Sequence, residues 1–402
     1  IGAGQAGGRA AETLRAQGFI GSIVLAGDEQ HRPYERPALS KTALTAIDDN
    51  NCFNAWLHSS DFYETGNIEW IADSVELLDV KHRTATFRSG RSIGFDKCLI
   101  TTGGRPRRLP GTPDSRHVLT LRTLPDAMKV RERLADARSV AVIGGGFLGL
   151  EFAASARARG IDVTVVEAAD RLLGRALPRD FSERLCAKHE QNGVRFMLGA
   201  KLTSSTDETS GVTLTFAGNT SERFDFVVVA IGQEPNEALA IASGLETGNG
   251  IHVDAFCQTS VAGVYAAGDC ANFPFGAHGR RLRLESWQNA QDQAIVAARN
   301  MLGEPVEYRP SPWFWTDQYD WNVQMLGMLD GPVDQWIERR ASIDRTLLMG
   351  LRHNTIVYAL AVNNGGELRA IRRLVEQATE VDPEALADPG VKLRQLERQA
   401  HS

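Results

Sequence analysis

At 402 residues the chain is long enough for two or three domains, and its apolar (43%) and charged (23%) fractions are those of a globular protein. A net charge of -6 with no extended basic tail argues against nucleic acid or an anionic membrane as the main partner. No apolar run is long enough to span a bilayer and the first residues are glycine-rich rather than signal-like, so a cytoplasmic location is the default expectation.

The opening stretch, IGAGQAGGRAAETLRAQGFIGSIVLAGDE, carries G-x-G-x-x-G at Gly2, Gly4 and Gly7. In this motif one glycine makes a tight turn, one lets backbone approach a pyrophosphate, and one allows close packing of helix on strand. A helix is expected over Ala10 to Gln17, stopped by Gly18, and a strand over Ser22 to Ala26. Asp28 or Glu29 then stands about 20 residues after the turn, where a carboxylate meets an adenosine ribose. Because Ile1 falls at the end of what should be a strand, a few residues are expected before it.

From His31 the prolines of HRPYERPALSK forbid a regular element until about Ser40, where a helix can be capped. Lys41 at that helix start opposes the helix dipole, so it is either a solvated lysine or one placed for another purpose. Residues 68 to 100 alternate as short strands turning at Ser89-Gly90, and exit at Thr101-Thr102-Gly103-Gly104. Arg105 to Pro113 reads as a linker, and Leu124 to Ala137 as a helix.

Ser139 to Glu167 then repeats the opening pattern in full: an apolar strand to Ile143, the glycines Gly144, Gly146 and Gly149, a helix stopped at Gly160, and a second strand reaching Glu167. An acid there favours NAD over NADP. A helix near Asp180 to Gln191, two alternating strands and a buried strand at Asp225 to Ile231 follow, with an exit at Gly232. Further on lie a strand at Gly263 to Asp269 and a helix at Glu285 to Asn300. Beyond Pro305 the tryptophans Trp313, Trp315, Trp321 and Trp336 mark a strand-rich region closed by a helix at Glu367 to Ala378.

The fold class expected is α/β, with two Rossmann-like dinucleotide-binding domains and a C-terminal α+β domain. Their expected boundaries are residues 1–108 with 234–308 for the first, 109–233 for the second and 309–402 for the third. Two NAD molecules in one chain have no evident use, so one site should hold a flavin, which takes a hydride and releases electrons singly. The five cysteines, Cys52, Cys98, Cys186, Cys257 and Cys270, contain no C-x-x-C and no metal-ligand spacing, which speaks against a disulfide reductase and a metal site. Cys52 is the one first-domain candidate for a peroxidase-type thiol, and NNCFNAW gives it no basic neighbour. One-electron transfer to a partner protein fits best.

The ordered set GAGQAGG, GDEQHRPYERPALSK, TTGGRPRRLPG, LRTLPDA, IGGGFLGLE, GVYAAGDC, ESWQNAQDQA and FWTDQYD resembles the FAD-dependent ferredoxin reductases of oxygenase systems, such as putidaredoxin reductase and the biphenyl and toluene dioxygenase reductases. The likeness covers essentially the whole chain. It implies FAD on Gly2, Gly4, Ala6, Gly7 and Asp28, with Val75 and Arg122 at its adenosine part, Asp269 at the ribityl chain, Trp287 touching the flavin by its backbone and Trp315 flanking the isoalloxazine. It implies NADH on Gly144, Gly146, Gly149, Glu167 and Gly232, and Lys41 beside the flavin edge paired with Glu151, the latter also binding the nicotinamide amide. TTGG stands where ATGG is usual, and Trp287 where Val or Tyr is common.

The implied reaction is ferredoxin:NAD+ reduction, feeding a cytochrome P450 or Rieske-type oxygenase through a 2Fe-2S ferredoxin. Arg280, Arg281 and Arg283 form the candidate basic patch for an acidic ferredoxin. The alternatives are a reductase of rubredoxin or a small oxidant on the same fold, and a redox-responsive interaction protein resembling apoptosis-inducing factor.

Overall fold

The structure is a computed structural model that describes residues 1–46, 53–110, 112, 115–276 and 279–399. Cys52 lies outside the described residues. The chain divides into two compact units, one of residues 1–39, 48–107 and 233–310, the other of residues 40–47, 108–232 and 311–402.

In the first unit the opening helix runs Gln5–Ala16, five residues earlier than the expected start, because the glycine turn passes directly into it. The strand Ile23–Gly27 pairs parallel with Ile68–Ala72, and Cys98–Ile100 pairs parallel with Val264–Ala266. Val75–Asp79, Thr84–Phe87 and Ser92–Gly94 make an antiparallel ladder. Helix Trp287–Met301 lays its alanine face, Ala290, Ala294, Ala297 and Ala298, against Ile100, Ala266 and Ala267 in one buried core. Small residues there let helix and strands approach closely. The stretch expected as a linker is partly a strand, Gly104–Pro106, paired antiparallel with Gln233–Pro235.

The second unit holds a five-stranded parallel sheet in the order Val194–Leu198, Asp162–Glu167, Ser139–Ile143, Phe226–Val229, Val118–Thr120. The central strands are apolar and buried from Val140 to Ile143 and from Phe226 to Val229, as a sheet covered on both faces requires. Helix Leu124–Asp136 begins with a capping box in which Thr123 and Asp126 each accept the other's backbone N-H. Three antiparallel strands, Leu202–Glu208, Gly211–Phe216 and Ser221–Phe224, fill the place where two were expected.

The C-terminal region is an antiparallel sheet ordered Trp313–Gln318, Trp321–Gly327, Thr355–Val362, Arg345–Arg352, Gln335–Ser342, covered by helix Gly365–Glu376. It shares a core with the parallel-sheet region, where Leu150, Leu172 and Phe181 pack with Trp321, Tyr358 and Leu360. Residues 40–46, expected with the first domain, belong to the second unit instead. Buried Arg131 donates to the carbonyls of Ala43, Leu44 and Ala46, and Ser155 donates to that of Ser40, so polar groups of the second unit satisfy this short segment.

Candidate functional site

Each glycine turn divides its labour among its glycines. Gly2 has φ +110°, and a Cβ there would lie 2.2 Å from the Thr101 carbonyl oxygen. A Cβ on Gly7 would lie 2.0 Å from the Gly2 oxygen, so both positions are closed to any side chain. At Gly4 the space is open, and the nearest atom is Nη2 of Arg36 at 3.8 Å. Helix Gln5–Ala16 has no side-chain cap on its first N-H groups, and both polar atoms of the buried Gln5 amide lack a partner among the described residues.

An open glycine, an uncapped helix start and a guanidinium together fit a diphosphate. Arg36 also donates 2.6 Å to Glu29, which accepts a second bond from Tyr34 at 2.5 Å. Burial opposes the charge on Arg36, and Tyr34, Glu29 and Asp269 outweigh it, so its pKa is raised. Asp28, beside the engaged Glu29, is exposed. Asp269 follows strand Val264–Ala266 and accepts from the Gln233 amide at 3.0 Å. Trp287 is the first residue of its helix, whose cap is Ser286, and Val75 opens its strand half-buried.

The turn of the second unit has the same form. Gly144 has φ +110° and a Cβ would sit 2.4 Å from the Ala230 oxygen, while a Cβ on Gly149 would sit 2.2 Å from the Gly144 oxygen. No described atom comes within 4 Å of a Cβ on Gly146, and helix Phe147–Ala158 again starts without a side-chain cap. Glu167 closes its strand and accepts from the backbone N-H of Gly145 at 2.7 Å and of Ala169 at 2.8 Å, which aims its carboxylate at the turn. Gly232 is exposed just after strand Phe226–Val229. The half-buried Arg122 precedes helix Leu124–Asp136, and its backbone N-H is held by Asp126.

Glu151 lies on helix Phe147–Ala158, one turn in, with its side chain 8% exposed. Lys41 reaches it at 2.8 Å, Ser40 donates to its other oxygen at 2.6 Å, and Thr316 donates at 2.7 Å. Three donors on one buried carboxylate satisfy the requirement that a buried charge be paired and hydrogen-bonded. Trp315, next to Thr316 on strand Trp313–Gln318, is half-buried, stacks on Trp313 with centroids 5.2 Å apart and donates to Asp317.

Similarity to known proteins now bears on these sites. The family described as pyridine nucleotide-disulphide oxidoreductase matches residues 1–294, and the one described as reductase C-terminal matches residues 313–397. The chain belongs to the pyridine nucleotide-disulphide oxidoreductase family. It is 37% identical over 386 residues to the 3-phenylpropionate/cinnamic acid dioxygenase ferredoxin–NAD(+) reductase component of Photorhabdus laumondii subsp. laumondii, covering 95% of this chain and 96% of the relative. Among solved structures it is similar to the ferredoxin reductase for the CYP199A2 system from Rhodopseudomonas palustris, at TM-score 0.92 and 35% identity, with 98% of each chain covered. It is also similar to the covalent putidaredoxin reductase–putidaredoxin complex, at TM-score 0.93 and 32% identity, covering 100% of this chain and 98% of the other.

As a member of this oxidoreductase family the protein is a flavoprotein enzyme using FAD and NAD(H). The features on the two turns fit two dinucleotides. Sequence reasoning passed over Arg36 and Thr316, and took Ser40 for a helix cap, whereas helix Thr42–Thr45 has no side-chain cap and Ser40 spends its hydroxyl on Glu151. Arg36 stood inside the quoted GDEQHRPYERPALSK, and an arginine two residues after a tyrosine and before a proline was the available signal. The expected basic patch contracts: the Arg283 side chain is 8% exposed and is bound to Glu285, Asn249 and the Asp269 carbonyl. Arg281 spends one nitrogen on the carbonyls of Val253 and Asn272. Arg280 is exposed at the start of the same strand, Arg280–Leu282.

Proposed function

We propose that the protein is the reductase component of an oxygenase system, oxidising NADH and passing electrons through FAD to a 2Fe-2S ferredoxin that supplies a Rieske-type oxygenase or a cytochrome P450. The observation that carries this is the full-length likeness to a ferredoxin–NAD(+) reductase component, C-terminal domain included. Cysteine chemistry offers no competing acceptor among the described residues. Cys98, Cys257 and Cys270 are free and buried, burial raises each thiol's pKa, and half-buried Cys186 is pushed up to about 11, so none is a ready thiolate.

The bound FAD supplies the conversion between two-electron hydride and single-electron transfer. Gly2, Gly4, Ala6, Gly7 and Arg36 would hold its pyrophosphate, Asp28, Val75 and Arg122 the adenosine part, Asp269 the ribityl chain, Trp287 the flavin by its backbone, and Trp315 the ring. Gly144, Gly146, Gly149, Glu167 and Gly232 hold NADH. Glu151 accepts the nicotinamide amide and, with Lys41, orients the reacting ring, so catalysis is chiefly positioning. The free thiols suit a reducing compartment, the cytoplasm. Among the described residues no helix is long and apolar enough to cross a membrane. An acidic ferredoxin would meet Arg280 and the outer part of Arg281.

The test is NADH-driven cytochrome c reduction by the FAD-loaded protein, with and without a panel of 2Fe-2S ferredoxins and rubredoxins. Stimulation of at least tenfold by a ferredoxin and not by rubredoxin is expected. Equal rates in all arms, with a long-lived reduced flavin and NADH-dependent dimerisation, would instead make it a redox-responsive interaction protein.

A further inference from the structure

Behind Glu151 a line of buried polar side chains continues. Thr316 donates to Glu151 at 2.7 Å, and its oxygen lies 3.1 Å from the Gln318 amide nitrogen. The Gln318 amide oxygen is 2.7 Å from Nε2 of His189, and Nδ1 of His189 is 3.1 Å from the Tyr319 hydroxyl. Thr316 and Gln318 are each 1% exposed and His189 is 0% exposed, so water does not compete along the line.

The direction of every bond follows from its end. A carboxylate only accepts, so Thr316 must give its proton to Glu151 and take its own bond from the Gln318 NH2. That leaves the Gln318 oxygen toward His189, which must donate from Nε2 and keep Nδ1 as the acceptor of the Tyr319 hydroxyl. Burial keeps His189 neutral, as a ring that donates at one nitrogen and accepts at the other must be.

Tyr319 supplies a second, independent observation. It sits at φ +58° in the two-residue turn between strands Trp313–Gln318 and Trp321–Gly327, a backbone that favours glycine and is an outlier for a bulky residue. Strain of this kind persists where the side chain is needed, and this side chain ends the line at His189.

We propose that Thr316, Gln318 and His189 are positioning residues that act through Glu151. The one-way chain keeps the carboxylate turned as an acceptor toward Lys41 and the nicotinamide amide, and ties its orientation to the first hairpin of the C-terminal sheet. The inference rests on the reading that Glu151 serves NADH.

The experiment uses the full-length FAD-loaded protein. Selective 15N-histidine NMR on the wild type, with His189→Gln to assign the signal, should show the Nε2-H tautomer, and an Nδ1-H tautomer would overturn the proposal without any variant at the site. Thr316→Val and Gln318→Glu, which keep shape while removing or reversing a donor, should each raise the KM for NADH about tenfold with kcat within about twofold, the pattern of lost ground-state positioning. Both should also weaken the flavin spectral change on titration with NAD+. Thr316→Ser should return both readouts to wild type. If Glu151→Ala raises KM but Thr316→Val and Gln318→Glu do not, the chain has no positioning role and the reading of Glu151 stands. If Glu151→Ala itself leaves KM and NAD+ affinity unchanged, both fall together.

Discussion

The two glycine turns of this chain are built on one backbone plan and differ in the charges placed around it. Gly2 donates to the Ala26 carbonyl at 2.7 Å and Gly144 to the Val166 carbonyl at 2.8 Å, so the two are in the same register with their second strands. The next residue in the second unit is Glu167, and in the first it is Gly27, where a Cβ would lie 2.7 Å from that of Ala3. The first turn therefore has no room for an acid at that point, and its carboxylates move on to Asp28 and Glu29. In exchange it has Arg36 over Gly4, whereas Gly146 has open space. A permanent cation beside an uncapped helix suits a resident dinucleotide, and an open turn with an aimed carboxylate suits one that must come and go.

The largest expected effects break the equivalence outright. Gly7→Ala and Gly149→Ala each push a methyl into a carbonyl oxygen of their own turn, at 2.0 and 2.2 Å. Overpacking of this kind costs about 1–3 kcal/mol and must open the turn. Gly7→Ala should purify with little flavin, read as the 450-to-280 nm absorbance ratio, whereas Gly149→Ala should keep its flavin and lose reduction by NADH. If both lose flavin equally, the division of cofactors between the turns is wrong. Next in size, Arg36→Met removes hydrogen bonds from a charged group, worth about 1.5–3 kcal/mol, and should weaken FAD binding roughly 10- to 100-fold in apoprotein reconstitution while leaving KM for NADH within about twofold.

How far such sites were legible from residues alone differs along the chain. The turns were readable because G-x-G-x-x-G fixes local geometry, and the strands Ser139–Ile143 and Asp162–Glu167 follow it closely. Glu151 and Lys41 were reachable only through resemblance, because their contact spans distant segments. The further partners of Glu151, Ser40 and Thr316, lie 111 and 165 residues away, which no local pattern encodes. Arg36 was hidden in a proline-rich loop without periodicity, and Gly104–Pro106 reads as linker because three residues are too few to alternate. His189, inside an ordinary helix, gave no sign that its ring meets a hairpin far down the chain.

Coenzyme choice sharpens the comparison on the side of the second turn. Glu167→Ala removes the carboxylate that both faces the turn and holds the N-H groups of Gly145 and Ala169. KM for NADH should rise about tenfold, the size of one hydrogen bond to a charged group, and the preference for NADH over NADPH should shrink by a similar factor. The flavin content should not change. A variant that keeps full NADH preference would remove Glu167 from the ribose.

The smallest effect separates the two units by their response to acid. Burial lowers the His189 pKa from 6.5 to about 4, against the opposing bond to Gln318. A histidine with a depressed folded pKa binds fewer protons folded than unfolded between those two values, so stability rises with pH across that window. Its contribution is complete above about 6.5 and is lost as pH falls toward 4, by about 1 kcal/mol per pH unit. Amide exchange in peptides covering Arg179–Gln191 and Trp313–Gln318 should therefore speed up between pH 6.5 and 5, after correction for intrinsic rates, while peptides of Trp287–Met301 hold steady. His189→Gln should flatten that slope. Equal acid sensitivity in peptides of both units, unaltered by His189→Gln, would show that the proton is taken up elsewhere and that His189 is no source of the difference.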